Sequence, residues 1–172
     1  MNIKDPISIF IVDDNKIFAL ALKADIENAF SKILIHVQSF ETGEQCMEKF
    51  KEEKPQVVIL DYNLNSKYPD AADGIKVLDW IKKENPETNV IMLTGDDNID
   101  VALKSFHHGA VDYVVKTETK FKKINYSLIN LFKMAEAKAY ERRYKRLRVG
   151  VYICLALLAG TIVAVRISDH SL

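Results

Sequence analysis

Five short apolar runs, each ending on a polar side chain, alternate along this chain with stretches whose apolar residues recur at helical spacing. The sharpest run is Val57-Val58-Ile59-Leu60-Asp61. A strand buried on both faces reads as such a run, and the residue at its C-terminal end emerges where open α/β sheets bind ligands. Ahead of it, Ile7-Ser8-Ile9-Phe10-Ile11-Val12 delivers Asp13 and Asp14. Asn15 is placed to cap a helix that runs to about Phe30, with Ile17, Leu20, Ala21, Ala24 and Ile26 at helical spacing. Ile33 to Val37 predicts a second strand. Thr42-Gly43 opens a second helix that buries Cys46, Met47 and Phe50 and stops at Lys54-Pro55. Beyond Asp61, a third helix starts near Gly74, buries Ile75, Val77 or Leu78, and Ile81, and ends at Asn85-Pro86. Val90 to Leu93 delivers Thr94, Gly95 and Asp96. Ile99 to His108 predicts a helix closed by Gly109, and Val111 to Val115 delivers Lys116. From Thr119 onward, Phe121, Ile124, Leu128, Leu131 and Ala135 predict a fifth helix.

Strands alternating with helices imply a doubly wound parallel sheet, because strand-helix-strand crossovers are right-handed and cover both faces. All strand C-termini then share one edge, so Asp13, Asp14, Asp61, Thr94 and Lys116 converge there. Taken singly, each has an ordinary use: Asp14 as a cap, Thr94 as a β-former, Lys116 as a solvated strand end. Together they suit phosphoryl transfer. Three clustered carboxylates repel one another, and a hard cation such as Mg²⁺ relieves this while keeping waters for a phosphoryl ligand. A carboxylate can attack phosphorus to form an acyl phosphate, and fixed positive charge stabilises the equatorial oxygens. Asp61 supplies the nucleophile, Lys116 the charge and Thr94 a hydroxyl.

Val12-Asp13-Asp14-Asn15, Ile59-Leu60-Asp61, Met92-Leu93-Thr94-Gly95 and Gly109-Ala110-Val111-Asp112-Tyr113-Val114-Val115-Lys116 resemble the receiver domain of bacterial two-component response regulators, over residues 5 to about 133. The resemblance implies a flavodoxin-like five-stranded sheet of order 2-1-3-4-5. It further implies that a histidine kinase or phosphotransfer protein phosphorylates Asp61. Asp14, Asp61 and the backbone carbonyl of Asn63 would hold Mg²⁺, with Asp13 acting mainly through a bound water. Thr94 and Tyr113 match the family's switch pair, and Asn63 and Asp96 lie where hydrolysis of the acyl phosphate is tuned. Such a chain is no enzyme beyond its own phosphorylation and dephosphorylation. Two features depart from the family. Thr117 follows Lys116 where proline is usual, so this bond is expected trans, with Lys116 free to sit differently. The loop from Tyr62 to Asp73 is longer than usual around Asn65-Ser66-Lys67-Tyr68, either as a gate to the acid or as a tolerated surface insertion. An aspartate-nucleophile phosphohydrolase would want a second acid where Asn63 stands. A phosphorylation-independent scaffold is the alternative that Thr117 leaves open.

Apolar residues make up 48% and charged residues 28% of the 172, which excludes a disordered chain. Lys+Arg and Asp+Glu balance at 24 each, with no global pull toward nucleic acid. Cys46 and Cys154 have no metal spacing and suggest a reducing compartment. His107 and His108 diverge by a helical step and are expected to complement a helix C-terminus instead of sharing an ion. Arg142-Arg143-Tyr144-Lys145-Arg146-Leu147-Arg148 concentrates cations, and Val149 to Val165 carries no charge. As a helix this last stretch spans about 25 Å, the short limit for a bilayer core. The expected organisation is a receiver over 1–133, a basic helix over 134–148, a transmembrane helix over 149–165 and a short non-cytoplasmic tail over 166–172. Cations ahead of the span orient the receiver to the cytoplasm at the inner membrane, single-pass. No recognition helix accompanies the cations, so no nucleic-acid partner is expected. Ala156, Gly160 and Ala164 recur every fourth residue, a face on which two copies could pair as a homodimer.

Overall fold

Parallel pairing organises a computed structural model that describes residues 6–64, 70–95 and 98–169, with the side chains of 142, 143 and 154–169 outside that description. Its elements are β1 (Ile7–Val12), α1 (Lys16–Ala29), β2 (Ile35–Phe40), α2 (Gly43–Glu53), β3 (Val57–Asp61), α3 (Gly74–Glu84), β4 (Asn89–Thr94), α4 (Ile99–His107), β5 (Asp112–Val115) and α5 (Lys120–Asp169). The sheet order is β2-β1-β3-β4-β5, the flavodoxin-like arrangement, and every pairing is parallel. Asn2–Leu131 forms one compact unit, and Phe132–Leu172 belongs to a second.

Alternation of side chains divides the core of the first unit in two. Phe10, Val12, Val58, Leu60, Val90 and Met92 point to one face and pack with Cys46 and Phe50 of α2 and Ile75, Leu78 and Ile81 of α3. Ile9, Ile11, Ile59, Ile91 and Leu93 take the other parity and are fully buried, as are Leu22 and Ile26 of α1 and Ile124 and Leu128 of α5. Burying each such aliphatic side chain contributes about 1.5–3 kcal/mol. Val77 and Leu78 are both buried, so α3 presents a wider apolar face than either residue alone would give.

Two expected elements are displaced. The second strand begins at Ile35 and runs to Phe40, whereas Ile33 and Leu34 precede it and are 42% and 61% exposed. As an edge strand, β2 buries only Val37 fully, so its sequence lacks the continuous apolar run of a central strand. At the end of α1 the expected positions Ile26 and Phe30 are buried, but the first turns present a different face inward. Ala19, Leu22 and Ile26 form the buried face, while Ile17 is 82% and Leu20 52% exposed.

The helix ends follow local chemistry. Asn15, Thr42, Asp73 and Asn98 each accept a backbone N–H of the first turn through the side chain. Gly109 has φ +98°, the left-handed conformation that closes α4. His107 ends α4, and His108 caps it while Nδ1 lies 2.6 Å from Asp79 Oδ1 on α3. The two histidine rings lie 6.0 Å apart between centroids, inclined at 60°.

In the second unit, Met134, Tyr140, Tyr144, Leu147 and Val151 are exposed, and the Arg148 guanidinium lies 5.9 Å from the Tyr144 ring. Among the described residues no helix is long and apolar enough to cross a membrane. The expected span draws no support from them. Most of it lies outside the described side chains, as do Cys154, Ala156, Gly160 and Ala164.

Close approaches fix two helices. An added Cβ at Gly43 would meet Val77 Cγ2 at 2.1 Å, and one at Gly74 would meet the Asp61 carbonyl oxygen at 2.2 Å and Tyr62 Cα at 2.7 Å. Backbone at Gly74 cannot yield without moving the end of β3. Gly74→Ala is expected to lower the unfolding free energy in urea by about 2–3 kcal/mol. Gly95→Ala, whose Cβ would meet nothing within 4 Å among the described residues, should change it by less than about 0.5 kcal/mol.

Candidate functional site

Strand register brings the separated acids together. Val12 pairs with Leu60, and Leu60 with Met92, so Asp13 and Asp61 leave adjacent strands at nearly one level. Backbone bonds extend the ladder past the strand ends: Asp13 N–H donates to Phe40 O at 3.0 Å, Tyr62 N–H to Leu93 O at 2.8 Å and Lys116 N–H to Thr94 O at 2.7 Å. The chain next to each reactive side chain is thus held by its neighbour. Gly74 N–H donates to Tyr62 O at 3.0 Å, and Glu44 Oε1 accepts Ala72 N–H at 3.0 Å, which ties down the returning end of the loop after β3. Residues 65–69, in the loop expected to be longer than usual, and Asp96 lie outside the described residues.

At this edge the Lys116 ammonium donates to Asp13 Oδ2 at 2.7 Å and lies 2.9 Å from Asp61 Oδ2. Asp13 is fully buried and Asp61 is 4% exposed. Asp14 is half-buried, and ligand oxygens of Asp13, Asp14 and Asp61 lie within 4.8 Å of one another. Thr94, at the end of β4, is buried. Tyr113, in the middle of β5, packs against the core with its hydroxyl 3.5 Å from Asn98 O. Asn63 is exposed, two residues beyond Asp61.

Burial raises the pKa of Asp13, the neighbouring Asp61 charge raises it further, and Lys116 opposes both. Burial likewise raises Asp61, again against Lys116. For Lys116, burial alone would lower the pKa, but Asp61 and Asp13 together lift it above the ordinary lysine value. One ammonium therefore compensates its two acids only in part.

This donor set fits a hard divalent cation. Three carboxylates gather against one ammonium, and Asp61 Oδ1 is buried with no hydrogen-bond partner among the described residues. A buried carboxylate oxygen without a partner is costly, and Mg²⁺ takes oxygen ligands of this kind. Bound there, the ion would relieve the repulsion among the acids and bring positive charge beside Asp61 Oδ1.

The described peptide bonds are all trans, that of Lys116–Thr117 included. Thr117 N–H donates to Val115 O at 2.7 Å, and Lys116 still reaches both acids. Sequence reading missed Phe18, whose ring centroid lies 4.8 Å from Lys116 Nζ. Its place three residues after the Asn15 cap was legible, but its approach to Lys116 depends on tertiary folding. Cys46, read as a core residue, is buried, and burial pushes its thiol up to about 12.

Residues 9–126 match the family described as the response regulator receiver domain. Among curated relatives, the DNA-binding transcriptional regulator NtrC of Escherichia coli is 26% identical over 108 residues, 63% of this chain and 21% of that protein. A protein-glutamate methylesterase/protein-glutamine glutaminase of Methanosarcina barkeri is 36% identical over 110 residues, 63% of this chain and 28% of that protein. The chain thus spans less than a third of either. Among solved structures, a signal receiver domain from Vibrio parahaemolyticus superposes with TM-score 0.66 at 26% identity, covering 78% of this chain and 95% of that one. The BeF3-activated receiver domain of DrrB, a Thermotoga maritima protein, gives TM-score 0.61 at 30% identity, covering 75% and 99%.

The raised Asp61 pKa has a definite sign in stability. Below the ordinary value of 3.8 the group is neutral in both the folded and unfolded states. Above it the unfolded state releases the proton first, so stability falls as pH rises until the folded group has ionised too. Without divalent cations, the wild-type chain should therefore lose stability relative to Asp61→Asn as pH rises from about 4, measured by thermal unfolding. Mg²⁺ at a hundredfold excess over its Kd should restore about 2.7 kcal/mol to wild type and little to Asp61→Asn.

Proposed function

The chain belongs to the response regulator receiver domain family, and on that basis we propose that it is a phosphoacceptor module of two-component signalling, phosphorylated on Asp61 with Mg²⁺ present. The supporting observation is the Lys116 ammonium, which bridges the buried Asp13 and Asp61 carboxylates through Asp13 Oδ2 and Asp61 Oδ2. The donor is the phosphohistidine of a histidine kinase or phosphotransfer protein. An Asp61 carboxylate oxygen forms the new P–O bond, and the P–N bond breaks with its electron pair returning to the imidazole. Lys116 stabilises charge on the transferring phosphoryl oxygens, and the Thr94 hydroxyl offers one of them a hydrogen bond. Asp14, Asp61 and the Asn63 carbonyl are the residues to hold the metal, with Asp13 behind them. Thr94 and Tyr113 then carry the change to the surface around α4 and β5.

Chemistry by this chain is confined to gaining and losing its own phosphoryl group. The alternative, a phosphorylation-independent scaffold, is disfavoured because Lys116 engages both acids without a following proline. The DNA-binding role printed for NtrC belongs to that protein. For this chain the proposed output is protein contact. The uncharged stretch Val149 to Val165 and the cations before it support a membrane-anchored chain with the receiver on the cytoplasmic side. Pairing through Ala156, Gly160 and Ala164 would make it a homodimer there.

The direct test exposes the full chain to a small acyl phosphate and Mg²⁺ and maps the label by peptide mass spectrometry. One phosphoryl group on Asp61 is expected, lost with a chelator and absent in Asp61→Asn, with Lys116→Met labelled at least about tenfold more slowly. Label at another residue, or none, would overturn the reading.

A further inference from the structure

Lys116 stands at the start of a loop whose next residues, Thr117 to Thr119, are exposed. A lysine stem is flexible and its ammonium is strongly hydrated, so bonds to two acids do not by themselves keep it in place. A third group faces it. The Phe18 ring lies 4.8 Å from Nζ and is half-buried at the start of α1. That ring is braced from α5, with its centroid 5.7 Å from that of Phe121 and the planes inclined at 50°. The Lys120 ammonium lies 5.9 Å from the Phe18 ring and 5.5 Å from the Phe121 ring.

The backbone of α1 sets where the Phe18 ring sits, and a hydrogen-bond chain begins at the same acid that Lys116 binds. Asp13 Oδ1 accepts Asn15 N–H at 2.9 Å, and Asn15 Oδ1 accepts Phe18 N–H at 3.1 Å. Across the Phe18 ring the circuit returns through Lys116 Nζ to Asp13 Oδ2. Both oxygens of one buried carboxylate are thereby used, one to start the helix that carries the ring and one to receive the ammonium. A ring face attracts a cation electrostatically, and the attraction grows when water is excluded.

We propose that Phe18 is a positioning residue for phosphoryl transfer, its ring, braced by Phe121, confining the Lys116 ammonium to the gap between Asp13 and Asp61. Phe18 touches no reacting atom; it acts through Lys116. The consequence for phosphorylation rests on the reading of Asp61 as phosphoacceptor, but the confinement itself does not.

The test compares wild type, Phe18→Leu and Phe18→Tyr in the full chain by two readouts. One is the ¹⁵N-resolved ammonium signal of Lys116, assigned by its loss in Lys116→Arg and visible only when the group is held and shielded from exchange. The other is the rate of labelling by an acyl phosphate at saturating Mg²⁺. Phe18→Leu, which keeps apolar volume without a π-face, should lose the signal and label about tenfold more slowly, with the Mg²⁺ half-saturation unchanged. Phe18→Tyr should restore both. Phe121→Leu, which removes the brace, supplies the same comparison if circular dichroism finds Phe18→Leu unfolded. A leucine variant that keeps both signal and rate would overturn the proposal, as would a tyrosine variant that fails as badly as leucine. If wild type takes no label, the functional reading fails, while the ammonium signal alone still decides whether Phe18 confines Lys116.

Discussion

The ammonium of Lys116 between two buried carboxylates is the contact on which the site's organisation depends. A buried carboxylate is costly unless paired, and removing one partner of a buried pair strands the other charge. Two acids share one cation here, with the first of them 103 residues distant in sequence. Parallel pairing brings these strand ends to one edge, and the order that places β1 beside β3, with β4 and β5 following, makes Asp13 and Asp61 neighbours there. The charge pairing is incomplete as chemistry: both acids remain raised in pKa, and Asp61 Oδ1 is buried with no hydrogen-bond partner among the described residues. Residual negative charge of this kind favours a hard cation and a group that brings its own positive centre, as phosphorus does.

Smaller devices hold that edge in register. Gly74 lets α3 start directly against the Asp61 carbonyl, where any side chain would collide. Asp73 caps the same helix, and Glu44 reaches from α2 to the backbone of Ala72. The far side of Asp61 is thereby fixed from two helices, while its near side answers to Lys116. Asn15 does the equivalent for Asp13, since the residue that caps α1 also donates its own N–H to the acid before it. Reactive groups are more exact on such supported strand ends than on free loops.

Much of this was legible in the residues, for a physical reason. Central parallel strands are apolar on both faces, so Val57 to Leu60 and Val90 to Leu93 announce themselves, and the polar residues that end them mark the edge. The edge strand escaped that rule: β2 buries only Val37 fully, and the apolar pair Ile33 and Leu34 ahead of it lies outside the strand. Helical period in α1 was readable toward its C-terminal end, where Ile26 and Phe30 are buried, but not in its first turns, where Ile17 and Leu20 are exposed while the small Ala19 is buried. The wall that Phe18 makes against Lys116 was out of reach altogether, since it joins α1 to the end of β5 and nothing local marks one phenylalanine among eight.

Beryllofluoride, which adds to a carboxylate as a phosphoryl group does, tests the central claim without turnover. The account predicts that Mg²⁺ and beryllofluoride together give bound ¹⁹F resonances on the wild-type chain, that Asp61→Asn abolishes them, and that Lys116→Met weakens binding and shifts them. No bound resonance with both reagents present, or one that survives loss of the Asp61 carboxylate, would contradict it.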